Sequence, residues 1–327
     1  MKMHLDVSVV ICTYTESRLD YLTTVIQSLL AQNALPQEII VVVDHNPALF
    51  ERVSAQFSEV SVIENKYEKG LSGARNSGIA AATSSIIAFV DDDAIAAPDW
   101  LEKLYAPYSD PKVMGVGGEI QPRWLSARPR WFPGEFNWVV GCSYEGMPKK
   151  SEPVRNLIGC NMSFRREVFQ AVGNFESALG KIGDSIDICC EETELCIRAK
   201  QKWEDQVLLY EPAAFVEHQV PGKRVQLSYF RHRCYQEGLS KALVSRFVGS
   251  TNGLSSERSY TMRVLPKGVL RGFGDLLRGD ITGPLRSGAI ILGLTTTTFG
   301  FIVGTIQGIT ANRDLLNPNQ VQIDHNR

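Results

Sequence analysis

"SSIIAFVDDDA", residues 84–94, runs an unbroken apolar stretch straight into three carboxylates. An apolar run without polar alternation is the pattern of a strand covered on both faces, as in a parallel sheet flanked by helices. The ending is costly. Adjacent aspartates repel one another and resist desolvation, so Asp91, Asp92 and Asp93 need water, hydrogen bonds or a cation to offset their charge.

Working outward, "DVSVVICTY" (6–14), "QEIIVVVD" (37–44) and "VSVIEN" (60–65) have the same strand character. Between these strands lie the helical patterns "LDYLTTVIQSLLAQ", "LFERVSAQF" and "GARNSGIAAATS". This βαβ alternation predicts an α/β fold, a doubly wound, mostly parallel sheet with helices on both faces. Ligands bind such sheets beyond the carboxyl ends of the strands. The residues there are Thr13 and Tyr14, Asp44, Glu64 and Asn65, and Asp91 to Asp93.

Residues 105–165 change character: seven prolines and Trp124, Trp131 and Trp138 predict loops and short strands. Helices are expected again from "NMSFRREVFQAVGNF" (161–175), with "CEETELCIRAKQKW" (190–203) helical and "DQVLLYEPAAFVEH" (205–218) a strand before a helix near 226–247. From Arg258 the chain turns basic, with six basic residues against two acidic ones through Arg286. Arg263, Lys267 and Arg271 recur at four, while Leu265, Val269, Leu270, Phe273, Leu276 and Leu277 share another face, the layout of an interfacial helix. "SGAIILGLTTTTFGFIVGTIQGI" (287–309) follows without a charge, long enough to span a bilayer, with Gly300, Gly304 and Gly308 as a small-residue seam. A membrane-associating C-terminal region over 251–327 is therefore expected, with membrane lipid as a partner and the preceding part on the cytoplasmic face.

The totals bound the function. The chain has 327 residues, 44% hydrophobic and 21% charged, with net charge −2, so nucleic acid is not an expected partner. Seven cysteines show no C-x-x-C pair and are read as reduced and intracellular. The N-terminus enters a strand at once, leaving no room for a secretory signal.

Side chains alternate along an extended chain, so Asp91 and Asp93 are expected to project together as a D-x-D clamp while Asp92 points elsewhere. Mg²⁺ or Mn²⁺ suits a site with few protein carboxylates and substrate phosphates as the other ligands. In "GLSGARNSG" (70–78) the glycines permit close backbone approach, and Arg75 at a helix start can pair with a diphosphate. Neither a dinucleotide fingerprint nor a P-loop is present. Asp44 is placed to accept from a base N–H or a ribose hydroxyl.

Taken in order, "VSVVICTYTES", "EIIVVVD", "KGLSGARNSGIAAA", "IIAFVDDDA", "GCNMSFRREVF" and "EETELCIRA" resemble the family 2 glycosyltransferases with a GT-A fold, over residues 7 to about 240. The resemblance implies a catalytic domain over 1–250, with a nucleotide-sugar half (1–115) and an acceptor half (116–250). It implies that Thr13, Tyr14, Asp44, Arg75, Asp91 and Asp92 bind the donor. Asp93, Asp91 and His218 would hold the metal, and Gly159 and Asn161 would lie on the acceptor side. Glu191 and Glu192 stand where the family has Glu-Asp, so Glu192 is expected as general base with Glu191 as its rival.

The implied reaction is an inverting, metal-dependent transfer of one sugar from a nucleotide-sugar, a UDP-sugar by expectation, to a glycan hydroxyl. The family's processive Q-x-x-R-W is absent, since "QPRW" (121–124) is misplaced and one residue short. Trp131 and Trp138 in "RPRWFPGEFNWVVG" are candidates to stack on acceptor sugars or line a lipid entry. With the C-terminal region, they point to a polyprenyl-phosphate-linked glycan. Two other readings are a sugar nucleotidyltransferase and a non-catalytic glycan-binding scaffold. The first needs a glycine-rich loop after its first strand, and "CTYTES" has no glycine.

Overall fold

Alternate residues of the first strands enter two different cores, which explains why their apolar runs are continuous. In the computed structural model, which describes residues 2–179, 190–249 and 255–315, strand β1 (His4–Thr13) sends Val7, Val9 and Ile11 into one core and Val10 into the other. Strand β2 (Leu35–Val43) divides in the same way, with Val41 and Val43 against Ile40 and Val42. So does β4 (Ile86–Asp91), with Ala88 and Val90 against Ile87 and Phe89.

Helices α1 (Leu19–Leu30), α2 (Pro47–Gln56) and α3 (Leu71–Ala81) connect these strands and the short β3 (Ser61–Glu64). Together they make the parallel half of the sheet, ordered β3-β2-β1-β4. The described strands form one nine-stranded sheet, completed by β5 (Ala94–Ala96), β6 (Val113–Trp124), β7 (Glu152–Val154), β8 (Asn161–Arg165) and β9 (Val207–Val220). The order continues β8-β6-β9-β5, with β7 also on β9.

The sheet is mixed, which corrects the expectation of a mostly parallel one. β8 runs antiparallel to both β4 and β6, and β5 and β7 run antiparallel to β9, while β6 and β9 are parallel. A second correction concerns residues 161–165, expected as helix. They pair between β4 and β6 as β8, and helix α5 begins only at Arg166 (Arg166–Val172). Helix α4 (Trp100–Tyr105) precedes β6, and α6 (Glu191–Lys202) precedes β9.

Helix α7 (Leu227–Val248) leads into the C-terminal unit: α8 (Ser255–Ser259), a π turn over Tyr260–Val264, α9 (Leu265–Leu277) and α10 (Gly283–Leu315). Helix α10 lies along α7 through its glycine seam. A Cβ on Gly300 would stand 2.3 Å from the Tyr235 carbonyl oxygen, and one on Gly304 would stand 2.9 Å from the Ala242 Cβ. The face of α9 divides differently from the sequence expectation: Leu265 is buried and Val269 packs on the core, whereas Leu270, Phe273, Leu276 and Leu277 are exposed. Arg271, read as part of an interfacial basic stripe, instead places its Nη2 2.6 Å from Oε1 of buried Glu135 and docks the helix on the sheet domain. Residues 251–254 and 316–327 of the predicted membrane-associating region lie outside the described residues.

Candidate active site

The carboxyl ends of β1, β2 and β4 converge. Asp44, just past β2, accepts from the Gly70 backbone N–H at 2.9 Å and from Asn65 Nδ2 at 2.7 Å, and His45 Nδ1 lies 2.9 Å from the same Oδ1. Gly70 has φ +128°, a backbone conformation open to glycine, and it caps the start of α3. Asn65 also accepts from Ser77 Oγ at 2.8 Å, so Asp44 is fixed in place by the β3 end and α3.

Thr13 and Asp92 spend their side chains on each other. Thr13 Oγ1 donates to Asp92 Oδ2 at 2.8 Å, and Arg18 Nη1 donates to Asp92 Oδ1 at 2.6 Å. Both are buried, and their side chains tie the end of β1 to the segment just past β4. Burial pushes Asp92 up to about 6 despite the Arg18 charge, with Asp93 adding to the rise. Tyr14 is 57% exposed, and its ring lies under the Arg18 guanidinium, which makes it an open wall of the crevice.

Asp93 sits among cations. Its Oδ1 is 3.2 Å from His218 Nε2, and its Oδ2 is 3.6 Å from Arg18 Nη1 and 3.7 Å from Arg224 Nη2. Burial alone would raise this carboxyl, but the His218 hydrogen bond and the charges of His218, Arg18 and Arg224 hold it near about 2. It is therefore an ionised carboxylate at neutral pH. Asp91 is also close to His218: ligand atoms of Asp91, Cys160 and His218 are all within 4.8 Å of one another. Burial raises the Cys160 thiol well above its ordinary value, so it stays protonated and is a poor metal ligand. What remains, two carboxylates and one imidazole with the Asp91 side chain a third exposed, is a donor set that fits a hard divalent cation.

Arg75 links this centre to the start of α6. Its Nη2 is 3.7 Å from Asp91 Oδ1 and donates to the Gly159 carbonyl at 3.1 Å, while Nη1 donates to Glu191 Oε1 at 2.7 Å. Gly159 is needed for close approach, since a Cβ there would stand 2.7 Å from Arg75 Nη2. Glu191 is thereby committed to Arg75. Glu192, one residue on, faces a cavity of about 700 Å³. Its surface is partly solvent-open, yet protein encloses it on the longer range over which charge is felt. Burial and the adjacent Glu191 charge push it up to about 8, against the opposing pull of Arg75.

The predicted acceptor residues separate. Asn161 is fully buried, and its amide is spent on Trp100 Nε1 at 2.9 Å and on the carbonyls of Glu119 and Ala214 at 3.0 and 2.9 Å. These bonds tie β8 to α4, β6 and β9. Trp131 packs edge-on against Phe230, with centroids 5.5 Å apart, and does not line the cavity. Trp138 does line it. Arg18 and Arg224 were missed in the sequence, although Arg18 follows Thr13 at the first strand-to-helix turn and Arg224 follows His218 in "PGKRV".

Comparison with known proteins identifies the family and the fold. Residues 8–173 match the family model described as Glycosyl transferase family 2. The chain is 31% identical over 327 residues to the glucosyl-dolichyl phosphate glucuronosyltransferase of Haloferax volcanii, covering 98% of this chain and 100% of that one. It is 25% identical over 246 residues to the succinoglycan biosynthesis protein ExoM of Rhizobium meliloti, covering 72% and 73%. In fold it is similar to the mannosyltransferase PcManGT from Pyrobaculum calidifontis, solved with GDP-Man and Mn²⁺, with TM-score 0.55 at 15% identity over 89% of this chain and 86% of that one.

Proposed function

The chain belongs to Glycosyl transferase family 2 and is a glycosyltransferase, and from that premise we propose that it transfers one sugar, with inversion, from a nucleotide-sugar to a polyprenyl-phosphate-linked glycan. Asp44, fixed by Gly70 and Asn65, receives the nucleoside, with Tyr14 as the open wall beside it. Asp93, His218 and Asp91 would hold a divalent cation, Mg²⁺ or Mn²⁺, which would supply positive charge to the departing diphosphate. Arg18, Arg224 and Arg75 add fixed positive charge around the same position. Glu192 removes the proton from an acceptor hydroxyl, whose oxygen attacks the anomeric carbon as the carbon–oxygen bond to the diphosphate breaks. The nucleoside diphosphate leaves with the bonding electrons, and one displacement inverts the centre.

The observation that carries this reading is the Arg75 bridge: one buried guanidinium reaches Asp91 on the donor side and Glu191 beside the cavity-facing Glu192. The acceptor class is supported by the cavity walls, which include Leu294, Thr297 and Phe301 of the apolar helix α10, and by the likeness to the dolichyl phosphate enzyme. Helix α10 is long and apolar enough to cross a membrane over Gly283–Gly308. Because one of its faces is committed along α7, we place it in the membrane interface with the catalytic domain on the cytoplasmic side. The test is to incubate membranes containing the protein with radiolabelled UDP-, GDP- and dTDP-sugars and separate lipid-linked products. Transfer lost with Asp93→Ala is the expected result, and donor binding without any turnover would replace the reading by a glycan-binding scaffold.

A further inference from the structure

Helices α7 and α10 pack backbone to backbone, because glycine stands on both sides of their seam. A Cβ on Gly238 would collide with the Thr297 carbonyl oxygen, and one on Gly300 with that of Tyr235. Beside this seam the side chains of the two helices frame a groove of about 570 Å³, which shares no lining residue with the cavity at Glu192. Its α7 wall carries Arg231 and His232, both exposed, together with Ser228, and its α10 wall carries Thr296. Tyr235 and Phe299, with ring centroids 6.0 Å apart, join the two walls.

The groove is positively charged. Among the described residues no carboxylate lines it. Glu237, the sole acidic residue of α7, lines the other cavity instead and pairs with Arg233 and Lys241. Arg231 makes no ion pair with a described residue, and the hydroxyls of Ser228 and Thr296 have no hydrogen-bond partner among them. A guanidinium, an imidazole and two hydroxyls therefore face one open space, a donor set for the oxygens of an anion.

The same groove opens onto apolar surface. Ile291, Phe299, Ile302 and Ile306 are each at least half exposed. With Thr295 between them they recur in steps of four and three residues, which makes one stripe on a helix of 3.6 residues per turn. Thr295 and Phe299 belong both to this stripe and to the groove wall, so the two surfaces are continuous. An inorganic anion would have no use for the stripe, and a helix packed on the stripe would have no use for the free guanidinium. A phospholipid carries both parts in the matching order.

We propose that the groove between α7 and α10 binds the phosphate of an anionic membrane phospholipid through Arg231 and His232, with the acyl chains along Ile291, Phe299, Ile302 and Ile306. This rests on the interfacial placement of α10 given above, and adds the headgroup chemistry that turns one face of the helix toward lipid while the other stays on α7.

The test pairs two measurements on the full-length protein. One is cosedimentation with phosphatidylcholine vesicles, with and without phosphatidylglycerol, and the other is calorimetric titration with soluble dihexanoyl phosphatidylglycerol and with inorganic phosphate. Phosphatidylglycerol should tighten vesicle binding by roughly 10- to 100-fold, the range of a charge-assisted contact. Arg231→Gln should remove most of that gain and leave binding to pure phosphatidylcholine as it was, and His232→Gln should remove a smaller part. Lys150→Gln deletes an exposed cation outside the groove and should cost no more than about fivefold, the effect of one unspecific charge at an anionic surface. Equal binding to both vesicle types, or a gain that survives in Arg231→Gln or falls as far in Lys150→Gln, would overturn the proposal. So would inorganic phosphate binding as tightly as the dihexanoyl lipid, which would make the groove a site for a free anion. A dimer in solution that Ile302→Ser separates would assign the stripe to a second copy of the chain instead. Wild-type protein that binds no vesicle but takes up the dihexanoyl lipid through Arg231 would overturn the interfacial placement alone.

Discussion

Arg75 and Glu191 form a buried ion pair, Nη1 to Oε1 at 2.7 Å, with both side chains almost wholly out of solvent. A carboxylate held in this way is a poor proton acceptor, whereas Glu192 faces the open cavity and its raised pKa suits a base. Glu192→Gln is therefore expected to lower kcat by roughly 10²- to 10⁴-fold with donor affinity little changed. Glu191→Gln leaves Arg75 with only the longer Asp91 contact and should instead destabilise the fold by about 3–5 kcal/mol. Single-turnover rates with parallel thermal melts distinguish the two variants. A Glu191→Gln protein that melts like wild type but has lost turnover would move the base by one residue.

The pH dependence follows from the same carboxyl. Only ionised Glu192 accepts a proton, so kcat/KM should rise with pH along a limb centred near 8 in the free enzyme. Stability runs the other way. Because the folded pKa lies above the ordinary carboxyl value of 4.5, the folded protein binds more protons between those limits, and this contribution is present below 4.5 and lost as pH rises through about 8. Thermal melts from pH 5 to 9 should show a decline in the wild type that is smaller in Glu192→Gln. Equal slopes in the two proteins would contradict the assignment.

The strand ends and the carboxylate motifs were legible because each is a local pattern: burial on both faces leaves continuous runs such as Ile86–Val90, and their polar ends mark the crevice. Arg18 and Arg224 were not legible, since each gains its role from proximity to Asp93, more than a hundred residues away in the case of Arg224. Asn161 matched a motif correctly, but no motif reports that the amide is saturated by Trp100, Glu119 and Ala214. The strand Asn161–Arg165 was hidden because a short apolar run before a helix reads equally well as its first turn. Periodicity also failed on α9: it identifies an apolar face but cannot divide that face between Leu265, which meets protein, and Leu270, which does not.

The donor set around His218 gives a metal prediction. Treatment with EDTA should abolish donor binding, and Mn²⁺ or Mg²⁺ should restore it in the wild type. Asp93→Asn and His218→Ala should each weaken metal-dependent donor binding by roughly 10- to 100-fold or more, read by titrating the metal against a fluorescent nucleotide-sugar. Binding that is indifferent to EDTA would remove the cation from the mechanism.

Asn161 tests the separation of scaffold from site. Asn161→Ala strips the buried Trp100 indole N–H of its acceptor and the carbonyls of Ala214, buried, and Glu119, half-buried, of their donor. The expected cost is about 2–4 kcal/mol, seen as a lower urea midpoint. At a temperature where the variant is folded, its acceptor KM should match that of the wild type. A raised acceptor KM in a protein of unchanged stability would return Asn161 to the acceptor site.

The last prediction concerns the outer face of the C-terminal helices. Leu277 is 90% exposed and Ile281 77%, at the turn joining α9 to α10, with Leu270 at 71% beside them. Water gains nothing from such a cluster, whereas a lipid interface recovers about 1.5–3 kcal/mol for each large aliphatic side chain it takes up. Leu277→Asp combined with Ile281→Asp should therefore reduce cosedimentation with anionic vesicles by roughly a hundredfold or more. Gln27→Asp, on the exposed face of α1, serves as the control and should cosediment as the wild type does. Because both substituted side chains point away from the fold, the double variant should melt like the wild type and bind nucleotide-sugar normally. If it still partitions fully to vesicles, the membrane contact lies on another surface.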